Sequence, residues 1–344
     1  MDISVIVPVY NGGDRIGRCV SALKAQNTRR AYEIIVIDDG STDRGLEEIE
    51  DGNDCRVFKQ ANQGPAAARN LGVEKARGQI VLFTDADCQP TEGWIEEMVW
   101  PLDDPCISGV KGSYLTRQNG IVPRFVQLEY ESKYKRMAGD PYIDFVDTYS
   151  AGFVKEDFLQ VGGYDTRFRT ASVEDHEFSF RMWEKGYRMV FNPQATVYHT
   201  HSETVWNYIR KKFRIGFWKA LVLKRHPNKI ARDSHTPQSL KFQMAFAILF
   251  LISLFFCPLE GGLFRCAVLP LAGFLATICP FLLRVCRKDP TVALWAPFLL
   301  FVRALSLSFG LIAGTFRFYV MNGTVCSEVE YAGPRRSIRT ISSQ

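Results

Sequence analysis

A chain of 344 residues is long enough for one large domain with an appendage, or for two modest domains. Apolar residues at 47% and charged residues at 23% exclude a disordered or fibrous chain, and a net charge of +5 is too small to argue for nucleic acid. Nine cysteines without a Cys-x-x-Cys pair argue against a zinc ribbon or a secreted disulfide scaffold and for a reducing compartment.

The N-terminus has neither a basic stretch nor a small-residue cleavage site, so Ile3 to Val9 reads as a buried strand and not as a signal peptide. Pro8 near its end fits where ladder bonding stops. Ile16, Cys19, Val20 and Leu23 fall at i, i+3, i+4 and i+7, which predicts an amphipathic helix. A strand over 33–37, a short helix near 44–50 and a strand over 56–59 follow. The next helix, 66–76, is entered through Gly64-Pro65 and left at Gly78, before a strand over 80–83. This alternation is the sequence form of βαβ units and a mostly parallel sheet. Strands 3–9, 33–37 and 80–83 each run into a polar loop, and open α/β sheets bind ligands at such carboxyl ends. Three loops should therefore share one crevice.

From 116 to 200 aromatic and acidic residues interleave, as in a mixed α/β half that completes the cleft. Between 203 and 225, Trp206, Phe213 and Phe217 combine with Arg210, Lys211, Lys212 and Arg214. Such a basic amphipathic helix suits a membrane surface with anionic head groups, or alternatively packs on its own domain. Three apolar segments follow: 242–259, uncharged; 263–283, with Arg265 near its start; and 291–316, apolar apart from Arg303. A bilayer core needs about 20 apolar residues per helix, so the first two are predicted to span. The basic helix before them and Arg284, Arg287 and Lys288 after them place both flanks in the cytosol, at the inner membrane. The third segment, with Pro297 and Arg303, reads equally as a span or as a broken, re-entrant helix. The expected organisation is an α/β domain over 1–202 (halves 1–115 and 116–202), an interfacial helix and linker over 203–235, membrane helices over 240–320 and a tail over 321–344.

Chemistry concentrates in acidic loops at strand ends. Asp38 and Asp39, followed by Gly40, are placed to accept hydrogen bonds from a base imide or ribose, or else form an Asp-Gly turn with Ser41 or Asp43 capping a helix. Asp85 and Asp87, separated by the small Ala86, present oxygens to one hard cation such as Mg²⁺. Glu174 and Asp175 open a helical run, where acids favour the dipole or, as a functional reading, take a proton from an acceptor hydroxyl. His199 and His201 flank Thr200 and share one face of a strand.

Ser4 to Asn11, Ile37 to Asp43, Asn62 to Asn70, Thr84 to Asp87 and Gly162 to Asp165 followed by Glu174-Asp175 together resemble the family 2 glycosyltransferases over roughly residues 2–220. The resemblance implies a GT-A fold (a Rossmann-like, mixed, mostly parallel sheet) ahead of the helical membrane region. It also implies a nucleotide-diphosphate sugar donor, most commonly of uracil, a Mg²⁺ or Mn²⁺ ion, and inversion at the anomeric carbon. Carried over by position, Pro8, Tyr10, Asp38, Asp39 and Arg69 would lie on the nucleotide, Asp85 and Ala86 on the ribose or diphosphate, and Asp87 on the metal. Asp85 and His199 would be further metal contacts, and Asp175, beside Glu174, the general base. The QxxRW motif of processive members is missing from the stretch Ile209 to Trp218, although Arg210 and Arg214 remain candidates for diphosphate or lipid phosphate, as does Arg303. The membrane segments favour an acceptor hydroxyl on a lipid-linked or cell-surface glycan. The alternatives are a polyprenyl-phosphate acceptor, a sugar nucleotidyltransferase, whose Gly-rich basic loop is missing after the first strand, and a membrane scaffold with an inactive domain.

Overall fold

The computed structural model of the chain describes residues 2–47, 49, 51–168, 173–230, 234, 236–256 and 264–321. One eight-stranded sheet organises the first two hundred residues, in the order β3-β2-β1-β4-β7-β6-β8-β5. Its parallel end comprises β3 (Cys55–Lys59), β2 (Tyr32–Asp38), β1 (Ile3–Val9) and β4 (Ile80–Phe83). Then β7 (Ala151–Val154) enters antiparallel between β4 and β6 (Ile107–Leu115), and β8 (Arg188–His199) and β5 (Cys88–Pro90) close the far edge. The sheet thus runs without a break across position 115.

The period of two decides which helix covers which face. Val5, Val7 and Val9 of β1 pack with Ile16, Cys19 and Leu23 of α1 (Asp14–Lys24) and with Trp94, Ile95 and Met98 of α3 (Trp94–Val99). Ile6, Ile35 and Ile37 turn to the other face, against α2 (Pro65–Lys75), α5 (Lys155–Val161) and α6 (Glu174–Glu184). Pairing of β1 with β4 ends at Ile6, so Pro8 lies beyond that ladder, where its missing N–H costs nothing.

One element differs from expectation. Residues 43–47 form bends and turns and not the start of the helix expected near 44–50, of which 48 and 50 lie outside the described residues; Ser41 and one oxygen of Asp43 are taken by the N–H groups of Asn11 and Gly13. Cys19, Cys55, Cys88, Cys106, Cys279 and Cys286 are free thiols.

Helix α4 (Ile121–Met137) shares an apolar cluster with the C-terminal helices: α7 (Val205–Arg225), α8 (Gln238–Phe256), α9 (Phe264–Lys288) and α10 (Pro290–Thr315). Parts of the first two predicted spans, 257–259 and Leu263, and all of the tail after Met321 lie outside the described residues. The remainder of each predicted span is helical, and α8, α9 and α10 are each long and apolar enough to cross a membrane. Helices α8 and α9 run antiparallel, with the Gln243 amide donating to the Thr277 carbonyl and Phe246 packed on Gly273.

The amphipathic α7 packs lengthwise on α10. A Cβ on Gly310 would fall 2.1 Å from the Phe213 carbonyl oxygen, and one on Gly314 2.1 Å from that of Phe217. Only glycine permits this approach of two backbones. Gly310→Ala is accordingly expected to destabilise the chain by about 1–3 kcal/mol through overpacking. The unfolding midpoint in detergent should fall, while Gly52→Ala, which faces open space, leaves it unchanged.

Candidate active site

Strands β2, β1 and β4 are adjacent and parallel, so their carboxyl ends open on one edge. There the loop after β1 is laced to the loop after β2. Asn11, at φ 52°, accepts through Oδ1 from the Thr42 N–H at 2.8 Å, and its own N–H donates to Ser41 Oγ at 3.0 Å. The Gly13 N–H donates to Asp43 at 2.8 Å. Asp38 accepts from the Ser41 N–H at 2.8 Å.

Asp39 is 3% exposed and holds the approach to α2. Its carboxylate accepts from the Gln60 side chain and from the N–H groups of Gln63 and Gly64, at 2.7–2.8 Å. Three donors leave little of a carboxylate's roughly four acceptor sites for anything else. Tyr10, by contrast, is 54% exposed at the mouth.

The loop after β4 carries Asp85, Ala86 and Asp87. Arg69, buried on α2, donates to Asp85 at 2.7 Å and to Glu174 at 3.1 Å. It therefore ties the metal-type loop to the acidic pair opening α6. Burial of the guanidinium is offset by the two carboxylates, an arrangement that fixes geometry because an unpaired buried charge is costly.

Asp87 faces His199 at 3.7 Å, and the β5–β8 pairing makes this meeting, since Cys88 lies directly opposite His199. Burial and then the nearby Asp85 push the Asp87 carboxyl up to about 6. Burial, followed by Lys211, pushes His199 down to about 3, so its imidazole is neutral and able to ligate. Asp87, Cys88 and His199 place one ligand atom each within 4.8 Å of one another. The Cys88 thiol is pushed well above its usual range by burial and neighbouring Asp87, which leaves the oxygen and nitrogen donors as the fitting pair. Two crowded carboxylates beside a neutral imidazole suit Mg²⁺ or Mn²⁺. His201 continues the set, its Nδ1 3.3 Å from that of His199.

Asp175 is half-buried on the first turn of α6, its side chain 14% exposed, and accepts from the His176 N–H at 2.8 Å. Burial raises it to about 6, outweighing that hydrogen bond and the fields of Arg69, Lys111 and Lys219. Asp175, Glu174, Asp85 and Arg69 line one cavity of about 960 Å³. The same cavity is also walled by apolar residues of α8, α9 and α10, among them Ile248, Leu249, Phe281, Leu307 and Leu311.

The structure separates the three arginines considered for phosphate. Arg214 borders both this cavity and an outer groove between α7 and α10, whereas Arg210 borders the groove alone. Arg303 lines the cavity but is engaged by Glu129 of α4 and Gln243 of α8. Sequence reasoning missed Glu129, which also accepts from Tyr208 at 2.9 Å and faces Lys212 at 3.3 Å. Burial raises its carboxyl, yet Lys212 and Arg303 outweigh burial and hold it below the usual range. A glutamate on an amphipathic helix reads as solvated, and nothing in the local pattern marks it as a hub.

Residues 4–160 match the family model described as glycosyl transferase family 2. They are a family 2 glycosyltransferase domain. Over 239 residues the chain is 28% identical to a pre-mycofactocin glycosyltransferase of Mycobacterium tuberculosis, covering 67% of this chain and 49% of that protein. Over 233 residues it is 28% identical to the glycosyltransferase AglE of Haloferax volcanii, covering 62% of this chain and 71% of AglE. The match thus spans about half the length of the mycobacterial relative. The fold is shared with a mannosyltransferase from Pyrobaculum calidifontis, solved in complex with GDP-Man and Mn²⁺. That structure has a TM-score of 0.57 at 22% identity and covers 92% of this chain and 87% of its own. The family 2 domain therefore has the GT-A architecture, and the crevice at β1, β2 and β4 lies within the matched residues.

Proposed function

We propose that this chain transfers a sugar, with inversion, from a nucleotide-diphosphate sugar to a lipid-linked acceptor at the cytosolic face of a membrane. The observation carrying this reading is the cavity that joins Asp175 to the membrane helices. A soluble acceptor has no use for a wall of Ile248, Leu249 and Leu311, whereas an acceptor with a polar head and a lipid tail matches both the charged and the apolar lining. The match to glycosyltransferases supports the reaction class, and the mannosyltransferase's complex with GDP-Man and Mn²⁺ supports a nucleotide-sugar donor and a divalent metal.

In this mechanism the exposed Tyr10 and the β1 and β2 loops receive the nucleoside, and Asp87 with His199 would hold a divalent cation beside Asp85. A bound cation supplies neutralisation of charge on the departing diphosphate. Arg69 keeps Asp85 and Glu174 in fixed relation, so the donor loop and the base move as one unit. Asp175 takes the proton from the acceptor hydroxyl as that oxygen attacks the anomeric carbon from the face opposite the leaving group. No enzyme nucleophile is needed.

A second reading is favoured by charge. Among the described residues lining the cavity, eleven are lysine or arginine and five are carboxylates. Such a lining suits an acceptor that is itself a lipid phosphate, already ionised and needing no base. Detergent-purified protein incubated with UDP-, GDP- and dTDP-sugars plus Mn²⁺ should release nucleotide with one donor. Release should rise when membrane lipid extract is added, and no release with any donor would defeat both readings.

A further inference from the structure

The third apolar helix never leaves the catalytic half. Its N-cap, Asp289, is bonded to Arg124 of α4, with Nε donating at 2.8 Å. Further along, Arg303 meets Glu129 of the same α4. Gly310 and Gly314 then lie on the backbone of α7 at Phe213 and Phe217. Just past its end, Phe318 accepts from Lys224 at 2.7 Å and packs on the cluster of Phe168, Val173 and Phe180. Helix α7 is itself fastened at both ends, Tyr208 to Glu129 at 2.9 Å and Arg225 to Asp165 at 2.6 Å.

Length turns these contacts into topology. The 26 residues of α10 extend about 39 Å, more than a hydrocarbon core of about 30 Å. An upright crossing would deliver its far end to the opposite leaflet, yet that end still touches Lys224 and the Phe168 cluster. Crossing would drag Asp165, Arg225 and the cations of α7 through hydrocarbon, where each charge is costly. Burial agrees: 50% of the apolar stretch of α10 is buried within the chain, against 11% for α8 and 17% for α9.

We propose that α10 is not a span, and that α7 and α10 form a flat platform seated on the bilayer interface, with only the α8–α9 hairpin inserted. The outer groove between the two helices, about 860 Å³, has Phe213, Phe217 and Phe309 in its walls and Arg210 and Arg214 at its border. Apolar walls bordered by guanidinium groups match acyl chains topped by lipid phosphate. Arg210 lies 6.0 Å above the Trp206 ring, an indole 64% exposed, as at a membrane–water boundary. Leu294, Trp295 and Phe298 extend the exposed apolar surface along α10. The platform continues the lipid-facing surface of α8 and α9, which favours bilayer over a second copy of the chain. It stands independently of the proposed acceptor and of Asp175.

The chain passing Met321 must then lie on the same side of the membrane as the catalytic half. Epitope tags inserted after Gly52 and after Met321 in the full chain are to be probed in sealed vesicles of both orientations. Both tags are expected to be reached in the same vesicles, and a Met321 tag reached only from the opposite face overturns the proposal. Depth supplies a second readout that needs no insertion. Phe298→Cys or Phe309→Cys, in a cysteine-free variant carrying a fluorophore in phosphatidylglycerol-containing vesicles, should be quenched several-fold more by nitroxide near the head group than by nitroxide at the chain end. Stronger quenching from the chain end, or no lipid quenching with crosslinking between copies, overturns it as well.

Discussion

Asp87→Ala is expected to lower turnover about a thousandfold, since ligand-held metal supplies several kcal/mol and each 1.36 kcal/mol is worth tenfold. The carboxylate sits in a half-buried corner that already holds Asp85, and partial burial together with that neighbour raises it to about 6. Such a pair is poorly matched to an empty site and well matched to a cation. The stability of the metal-free chain gives an independent check, with the sign opposite to that of ordinary damage. An acid raised in the folded state binds more protons there than when unfolded, so its penalty develops as pH rises from about 4 and is complete above about 6. At pH 8 Asp87→Asn should therefore unfold at a temperature no lower than the parent, while losing Mn²⁺ binding in titration calorimetry with nucleotide present. Wild-type turnover without divalent cation would remove Asp87 from this role. His199→Ala, which leaves both carboxylates, should cost less.

Why Asp87 and His199 meet was legible only in part. The apolar runs of β1, β2 and β4, the spacing of Ile16, Cys19, Val20 and Leu23, and the Gly64-Pro65 entry to α2 announce their elements because local pattern and burial coincide. The region from 116 to 200 did not, because its order is non-local: β7 inserts antiparallel between β4 and β6, and β8 must find both β6 and β5. Ser41 and Asp43 looked like caps for a helix near 44–50, but the loop after β1 claims both, through the N–H groups of Asn11 and Gly13. The acidic motifs were readable as chemistry, while the bridge of Arg69 between Asp85 and Glu174 depended on how α2 faces α6. At the membrane end, Pro297 and Arg303 left α10 open between a span and a re-entrant helix. Its difference from α8 and α9 lies in what it touches, and glycines spaced for α7 look like ordinary small residues in an apolar run.

Asp175→Asn separates the two acceptor chemistries. The amide keeps the shape of the side chain and its oxygen can still accept from the His176 N–H, so α6 and the bond of Arg69 to Glu174 should persist. It cannot take a proton. If the acceptor attacks through a hydroxyl, transfer should fall by about 10²–10⁴, the usual contribution of a positioned base. Nucleotide binding, which the proposed mechanism assigns to the loops after β1 and β2, should be unchanged. The parent enzyme at saturating Mn²⁺ should then lose activity as pH falls through about 6, because only ionised Asp175 is competent, and the asparagine variant should lack that limb. If the attacking atom is a phosphate oxygen, the acceptor is already charged and the same substitution should spare most of the rate. The cationic lining of the cavity then carries the recognition. Measuring transfer to a long-chain alcohol glycoside and to a long-chain phosphate side by side reads this directly. A variant as fast as the parent on the hydroxyl acceptor would end the assignment of Asp175 as base, whereas one slow on both would point to damage in the Arg69 bridge.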